Sequence, residues 1–289
     1  MPSMQQLKRR IESVGTTRQI AQAMQMVSST KISRARATAE ACAPFYQEYK
    51  KMLQDALRSA GQYQNQYLQQ TEVKNTLYIV VGSDRGLCGP YNINVARAAR
   101  ASMTKQKTET TMIAVGGKMQ EAFRRNGPKI VKVFTGVSEN PFFSDAAEIG
   151  KLAMEKFKAG EVQRVKLVYT QFISMLQQKT HVRQLLPLVV PAQNQEEGEN
   201  QQPPPVMYME PDEESVLERI IPAYIYSSIY HAMVEGAACE QSSRVTSMDS
   251  AVKNSEEMID KMELTYNQLR QSAITQELNE IVGAAEALR

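Results

Sequence analysis

The sequence predicts an α/β chain in which long N- and C-terminal helices form an antiparallel coiled coil and a Rossmann-like α/β head domain lies between them. Three observations carry that prediction. Residues 223–289 contain no proline and only two glycines, Gly236 and Gly283, and they hold an apolar stripe. The stripe is Val245, Met248, Val252, Ser255, Ile259, Met262, Tyr266, Leu269 and Ala273. Its steps alternate three and four, the a/d spacing of a coiled coil. Residues 3–58 also read as helix, with Leu7, Ile11, Val14, Ile20, Met24 and Val27 on a recurring face. Between the two helices, short apolar runs alternate with helical patterns and Gly/Pro breaks, which is the signature of βα units.

The elements follow in order. Residues 1–60 form the N-terminal coiled-coil helix, in which Pro44 should kink rather than end the pattern. Residues 60–74 are polar and glutamine-rich and make a connector. The α/β head domain spans 75–191, with strands expected at Leu77–Val81, Met112–Val115, Ile130–Phe134, Val165–Ile173 and Val182–Val190, the last two suited to a hairpin. Helices are expected over Ile93–Met103, Met119–Arg125 and Ala146–Lys158. Continuous runs such as Leu77–Val81 fit a parallel sheet covered on both faces. Residues 192–212, with Glu196, Glu197, Glu199 and Pro203 to Pro205, bury little apolar surface and read as a mobile linker or foot. The C-terminal helix fills 213–289, with Asp212 as N-cap, acids in its first turn and a kink or short break at Pro222.

After Ala273 the apolar stripe slips by one position, through Ile274, Leu278, Ile281, Ala285 and Leu288, as suits a nearly straight rod. At ~1.5 Å per residue the C-terminal helix spans roughly 100 Å and the N-terminal helix roughly 85 Å, so the former should overhang by about 20–30 Å. The expected shape is a head on a long stalk with a single-helix tip.

Composition excludes several functions. No apolar run approaches the ~20 residues of a membrane span. Cys42, Cys88 and Cys239 are scattered, which argues against a disulfide framework or zinc site and favours a reducing compartment. His181 and His231 have no ligand cluster around them, so no metal and no cofactor are expected. Net charge is only +3, yet residues 1–40 set Lys8, Arg9, Arg10, Arg18, Lys31, Arg34 and Arg36 against Glu12 and Glu40 alone. That excess fits either a solvated face or a surface meeting acidic loops on another protein. Aromatic residues do not interleave it, which disfavours nucleic acid. It resembles a transit peptide in composition, but its apolar pattern runs on into the helix without a break.

The loop Gly82-Ser83-Asp84-Arg85-Gly86-Leu87-Cys88-Gly89 sits where a doubly wound fold binds phosphate, after the first strand and before a helix. It lacks both the Gly-Lys-Ser/Thr of a P-loop and the G-x-G-x-x-G of a dinucleotide site. A structural or interface loop is therefore expected, with Cys88 at the surface and no catalytic residue. No paired carboxylates or Ser/His/Asp set stand out elsewhere.

At these residues the chain resembles the gamma subunit of the F-type ATP synthase. The resemblance rests on Leu7-Lys8-Arg9-Arg10-Ile11, Ala23-Met24-Gln25-Met26-Val27, the loop 82–89, Glu240-Gln241-Ser242-Ser243-Arg244, Tyr266-Asn267 and Arg270 through Leu278. It covers the whole chain. It implies a single-copy, non-catalytic rotor shaft inside a collar of α and β subunits, with its foot on a membrane c-ring beside the epsilon subunit. Residues matching Arg270, Thr275 and Glu277 contact a β-subunit loop in that family, and Met24 lies near acidic loops below the collar. Gly82, Ser83, Asp84, Arg85, Gly86 and Cys88 would be an interface loop, and Met207, Tyr208, Met209 and Glu210 the foot near the c-ring. The protein would be peripheral to the membrane, not inserted, on the cytoplasmic face of a bacterial plasma membrane or, alternatively, the matrix face of the mitochondrial inner membrane. The regulatory cysteine pair of the chloroplast type has no match here. Two other classes compete: a nucleotide-binding enzyme with helical extensions, and a tethering coiled coil that dimerises through its seam. The sixteen methionines suit either a repacking surface or plain core filling.

Overall fold

The computed structural model describes residues 3–59, 66–69, 71–106, 108–188, 210 and 212–287. The expected linker 192–212 thus lies outside the described residues except for Glu210 and Asp212. Ten elements run in the order α1 (Met4–Ser59), β1 (Asn75–Val81), α2 (Tyr91–Lys105), β2 (Glu109–Val115), α3 (Gly117–Phe123), β3 (Lys129–Phe134), α4 (Phe143–Lys158), β4 (Arg164–Phe172), β5 (Gln178–Leu186) and α5 (Glu213–Ala287). The chain divides into two compact units, Thr30–Ser243 and Met1–Ser29 with Arg244–Arg289. The division crosses both long helices rather than falling at their ends.

In the unit Thr30–Ser243 the sheet order is β3-β2-β1-β4-β5. The first four strands are parallel, and β4 and β5 form the antiparallel hairpin. The fifth strand begins four residues before its expected start: Gln178–His181 pair with Tyr169–Phe172 despite their polarity, because the turn closed by Ile173 N and Ser174 N on Gln177 O starts the hairpin there. One face of the sheet, through Leu77, Ile79, Ile113 and Leu167, packs with Leu53 and Ala56 of α1, Ile149 of α4 and Ile221 and Ile225 of α5. The other, through Tyr78, Val80, Met112 and Val168, packs with Val95 and Ala99 of α2 and Met119 of α3. Leu77 to Val80 are wholly buried. Burial of each such side chain contributes about 1.5–3 kcal/mol, so covering both faces makes β1 the spine of the unit.

Two expectations change here. The connector is not uniformly polar surface: Tyr67 is 3% exposed, stacks on Phe157 at 6.2 Å and accepts a hydrogen bond from Leu188 N through its carbonyl. Nor does Pro222 break α5, which runs through it unbroken. The proline forfeits one helical N–H, but Leu217, Ile221, Tyr224 and Ile225 are all buried around it and hold both sides of the helix in place. Asp212 caps that helix as expected, its Oδ1 accepting from Ser215 N at 2.8 Å.

In the second unit α1 and α5 are antiparallel: Gln25 Nε2 donates to Asp249 Oδ1 at 3.2 Å and Arg18 lies 3.9 Å from Glu256, so one chain falls as the other rises. On α5 the predicted stripe is the observed seam. Met248 is buried, and Val245, Val252, Ser255, Ile259, Met262, Tyr266, Leu269 and Ala273 are half-buried. On α1 the seam differs from the expected face. It keeps Leu7, Ile11 and Val14 but continues through Arg18, Ala21, Gln25 and Ser28, while Ile20 and Val27 are 57% and 54% exposed. Strict three-four spacing decides which face turns inward, and the small Ala21 and Ser28 let the helices approach closely. Apolar identity alone does not.

Candidate partner-binding surfaces

The loop after β1 is closed by its own side chains. Asp84 Oδ1 accepts from Gly117 N at 3.0 Å, at the start of α3, and Oδ2 accepts from Ser138 N at 3.1 Å. Burial pushes the Asp84 carboxyl up, but these backbone donors, with Gly136 N–H and the Ser138 hydroxyl, outweigh it and hold the group below the usual carboxylate range. The carboxylate thus takes up the amides at the start of α3 and at Ser138, and ties the β1 loop to both. Gly116 makes the packing possible. It has φ +93°, and a Cβ there would fall 2.6 Å from Ser83 O.

Cys88 corrects an expectation. It is 2% exposed rather than at the surface, and its sulfur accepts from Asn92 Nδ2 at 3.1 Å. The same amide donates to Ser83 Oγ at 2.7 Å, and Ser83 Oγ donates to Arg85 O at 2.6 Å. Leu87, at 61% exposure, and Arg85 are the side chains that the loop presents. Sequence reasoning missed Glu139, which lies 2.7 Å from Lys31 and 3.8 Å from Arg85 and so ties α1 to this loop.

The strand order reverses between β1 and β4, the place where open α/β sheets bind ligands beyond the strand ends. Helix α5 occupies it. Gly236 lies so close that a Cβ would sit 3.0 Å from Tyr91 OH and 3.3 Å from Val81. The Glu235 carboxylate accepts from Phe172 N, Gln178 Nε2 donates to Cys239 O at 3.2 Å, and Cys239 Sγ donates to Thr170 O at 3.5 Å. His231, one turn earlier, stacks on Tyr46 at 4.4 Å, with Arg183 over the other ring at 5.4 Å. Burial and Arg183 push the His231 imidazole down to about 4. The ring is therefore neutral at pH 7, and its 3.8 Å approach to Glu235 is a dipolar contact rather than an ion pair. Among the described residues no His, Cys, Asp and Glu side chains gather as metal ligands.

The open surfaces are elsewhere. By the register of the pairs above, the start of α1 at Met4 falls opposite residue 270 of α5. From Ile274 onward α5 has no α1 residue to pair with. Residues 274–281 are all exposed, with Ile274, Leu278 and Ile281 at 50%, 57% and 66%. Arg270, Thr275 and Glu277 are exposed on this stretch; Thr275 Oγ1 donates only to Gln271 O at 2.9 Å. Neither Arg270 nor Glu277 forms an ion pair with another described residue, and neither do the exposed Lys8, Arg9 and Arg10. Met24 is half-buried, while its neighbours Met26 and Val27 are 71% and 54% exposed. Glu210 is exposed; Met207, Tyr208 and Met209 lie outside the described residues.

One unit is a helix pair that leaves the end of α5 exposed, and the other is an α/β unit whose ligand crevice is filled from within, features of a subunit of a larger assembly. The comparisons name the assembly. A family profile described as ATP synthase matches residues 3–288. The ATP synthase gamma chain of Alkaliphilus metalliredigens is 42% identical over 99% of each chain, and the sodium ion specific gamma chain of Acetobacterium woodii is 38% identical over 99% of each. The rotor of the Euglena gracilis mitochondrial ATP synthase has the same fold, with TM-score 0.67 at 17% identity, covering 94% of this chain and 98% of that one. The chain belongs to the family of F-type ATP synthase gamma chains.

Proposed function

We propose that this subunit is the central-stalk rotor, coupling rotation of a membrane c-ring to the conformational cycle of catalytic β subunits, with no catalytic group of its own. The observation that carries this reading is the bare stretch of α5 from Ile274 to Ile281. An isolated helix with an apolar stripe is marginal in water, so it calls for a surrounding partner, and a collar of α and β subunits supplies one. A shaft without threefold symmetry meets three identical β subunits at different faces. It biases each only by its differential contact energy with their states. Arg270, Thr275 and Glu277 take the β-loop contacts, and the basic start of α1 with Met24 faces acidic loops below. The loop 82–88 lies on the same route, and the foot around 207–210 meets the c-ring beside the epsilon subunit. Among the described residues no helix is long and apolar enough to cross a membrane, and the named relatives are bacterial, which supports a peripheral place on the cytoplasmic face of a plasma membrane. The competing coiled-coil dimer loses its motive, since α1 and α5 satisfy the seam within one chain.

The buried Cys88 moves the decisive crosslink to Leu87. In the assembled complex, a Leu87→Cys variant paired with a cysteine in the acidic lower loop of β forms a disulfide when the Cα atoms come within ~7 Å. That bond ties rotor to stator, so ATP hydrolysis stops and reductant restores it. A Glu210→Cys bond to the c-ring leaves hydrolysis intact because the two turn together. Full hydrolysis with Leu87→Cys quantitatively bonded to β overturns the rotor assignment. Arg270→Leu and Glu277→Ala should slow turnover, each removing a charged contact of about 1.5–3 kcal/mol.

A further inference from the structure

The amino ends of the parallel strands hold a group of cations that the rotor reading leaves unused. Arg164 and Lys166 stand two positions apart on β4, so both point to the α2 side of the sheet. Both are half-buried, and neither is ion-paired to another described residue. They converge on a single neutral acceptor, the carboxamide of Gln106 at the end of α2. In the orientation that satisfies both partners, its oxygen accepts from Lys166 Nζ and, at 3.2 Å, from Arg164 Nη1. Arg164 Nε is buried and makes no hydrogen bond. Hydroxyl groups ring the site: Thr76 Oγ1 is 3.4 Å from Thr108 Oγ1 and 3.5 Å from the Gln106 carboxamide, and Tyr78 OH is 3.1 Å from Ser102 Oγ.

Two like charges drawn out of water beside each other are unfavourable unless an anion joins them. Burial and the neighbouring Arg164 accordingly lower the Lys166 ammonium below its usual range. A planar guanidinium, an ammonium and rotatable hydroxyls together match a tetrahedral oxyanion, which accepts from all of them at once. We propose that Arg164, Lys166, Thr76 and Thr108 form a binding site for a phosphate group, with the Gln106 amide occupying its position when no ligand is bound. The ligand is either free phosphate or a phospholipid headgroup. The chemistry is the same, and the two sources separate experimentally.

The test uses the full chain at constant ionic strength. Calorimetric titration with inorganic phosphate should give one site per chain. Lys166→Gln, which removes the charge and leaves a neutral polar group, should weaken it by about tenfold to a hundredfold, as one charged hydrogen bond implies. Gln106→Glu supplies the missing carboxylate from within. It should raise the melting temperature and abolish phosphate binding, which separates a filled site from a damaged fold. In a parallel arm, phosphatidylglycerol vesicles replace phosphate. Sedimentation that depends on Lys166, without binding of free phosphate, assigns the ligand to a headgroup. Absence of binding in both arms, or equal binding by the parent and Lys166→Gln, overturns the proposal.

Discussion

Helix α5 passes through two environments, and the contrast explains how one chain is both a stable fold and an interface. From His231 to Ser242 every residue is buried, including Glu235, Glu240 and Gln241. From Ile274 to Ile281 every residue is exposed, including three large aliphatic ones. Polar residues lie inside at one end and apolar residues outside at the other, the reverse of what composition alone would assign. In the first stretch the sheet and its loops supply backbone partners for some of the polar groups, as for Glu235 with Phe172 N and Ser242 with Met175 O at 2.8 Å, while the buried Gln241 carboxamide makes no hydrogen bond to a described residue. In the second no described residue covers the apolar stripe, and it stays exposed. The same covalent helix is core in one unit and exposed apolar stripe in the other.

Substitutions along this contrast should separate the two roles. Leu167→Ala, at 1% exposure in the middle of β4, should have the largest effect, about 2–5 kcal/mol of lost stability by urea unfolding of the chain. A loss below 1 kcal/mol would mean that the sheet is not the stabilising centre of its unit.

His231→Phe should change the acid response. The folded imidazole titrates at about 4, below its ordinary 6.5, so the unfolded chain takes up the proton first as pH falls. Stability from keeping it neutral is complete above 6.5, is lost as pH drops towards 4, and amounts to about 3 kcal/mol at 1.36 kcal/mol per unit. Glu235, raised by burial, titrates in the opposite sense and offsets part of it. Phe keeps the stack on Tyr46, so urea midpoints measured between pH 7 and 4 should fall less steeply than in the parent. Identical slopes would show that the ring does not report the pH of this core.

Leu269→Ala, on the half-buried seam, should cost about 1 kcal/mol, since only part of its surface leaves water. The double variant Leu278→Ser, Ile281→Ser should leave the isolated chain within about 0.5 kcal/mol of the parent, as exposed positions do. It should nonetheless weaken assembly or torque in the complex. Unchanged assembly and turnover would remove the argument that this stripe is a docking surface.

Much of this was legible in the sequence because local periodicity dictates it. The α5 seam from Val245 to Ala273, the four parallel strands, the hairpin and the Asp212 cap all follow from spacing and caps that act over a few residues. The contacts proposed for Arg270, Thr275 and Glu277 rest on resemblance, for these side chains are exposed and no described residue of the chain fixes what they meet.

What tertiary structure decided were the questions in which distant residues compete for one space. Ile20 and Val27 looked like core but face outward, because the heptad begun at Leu7, Ile11 and Val14 assigns the inner face to Arg18, Ala21, Gln25 and Ser28. Cys88 looked like surface but is enclosed, because Asn92 folds back over it. Asp84 is held as a carboxylate only because Gly117 and Ser138, separated from it by 33 and 54 residues, bring their amides to it. The crevice of the sheet is filled by a helix more than 60 residues beyond the strand it meets. Periodicity is a short-range property and survives in the sequence. Burial is set by whichever segment arrives from far along the chain, and only the folded structure reveals which one that is.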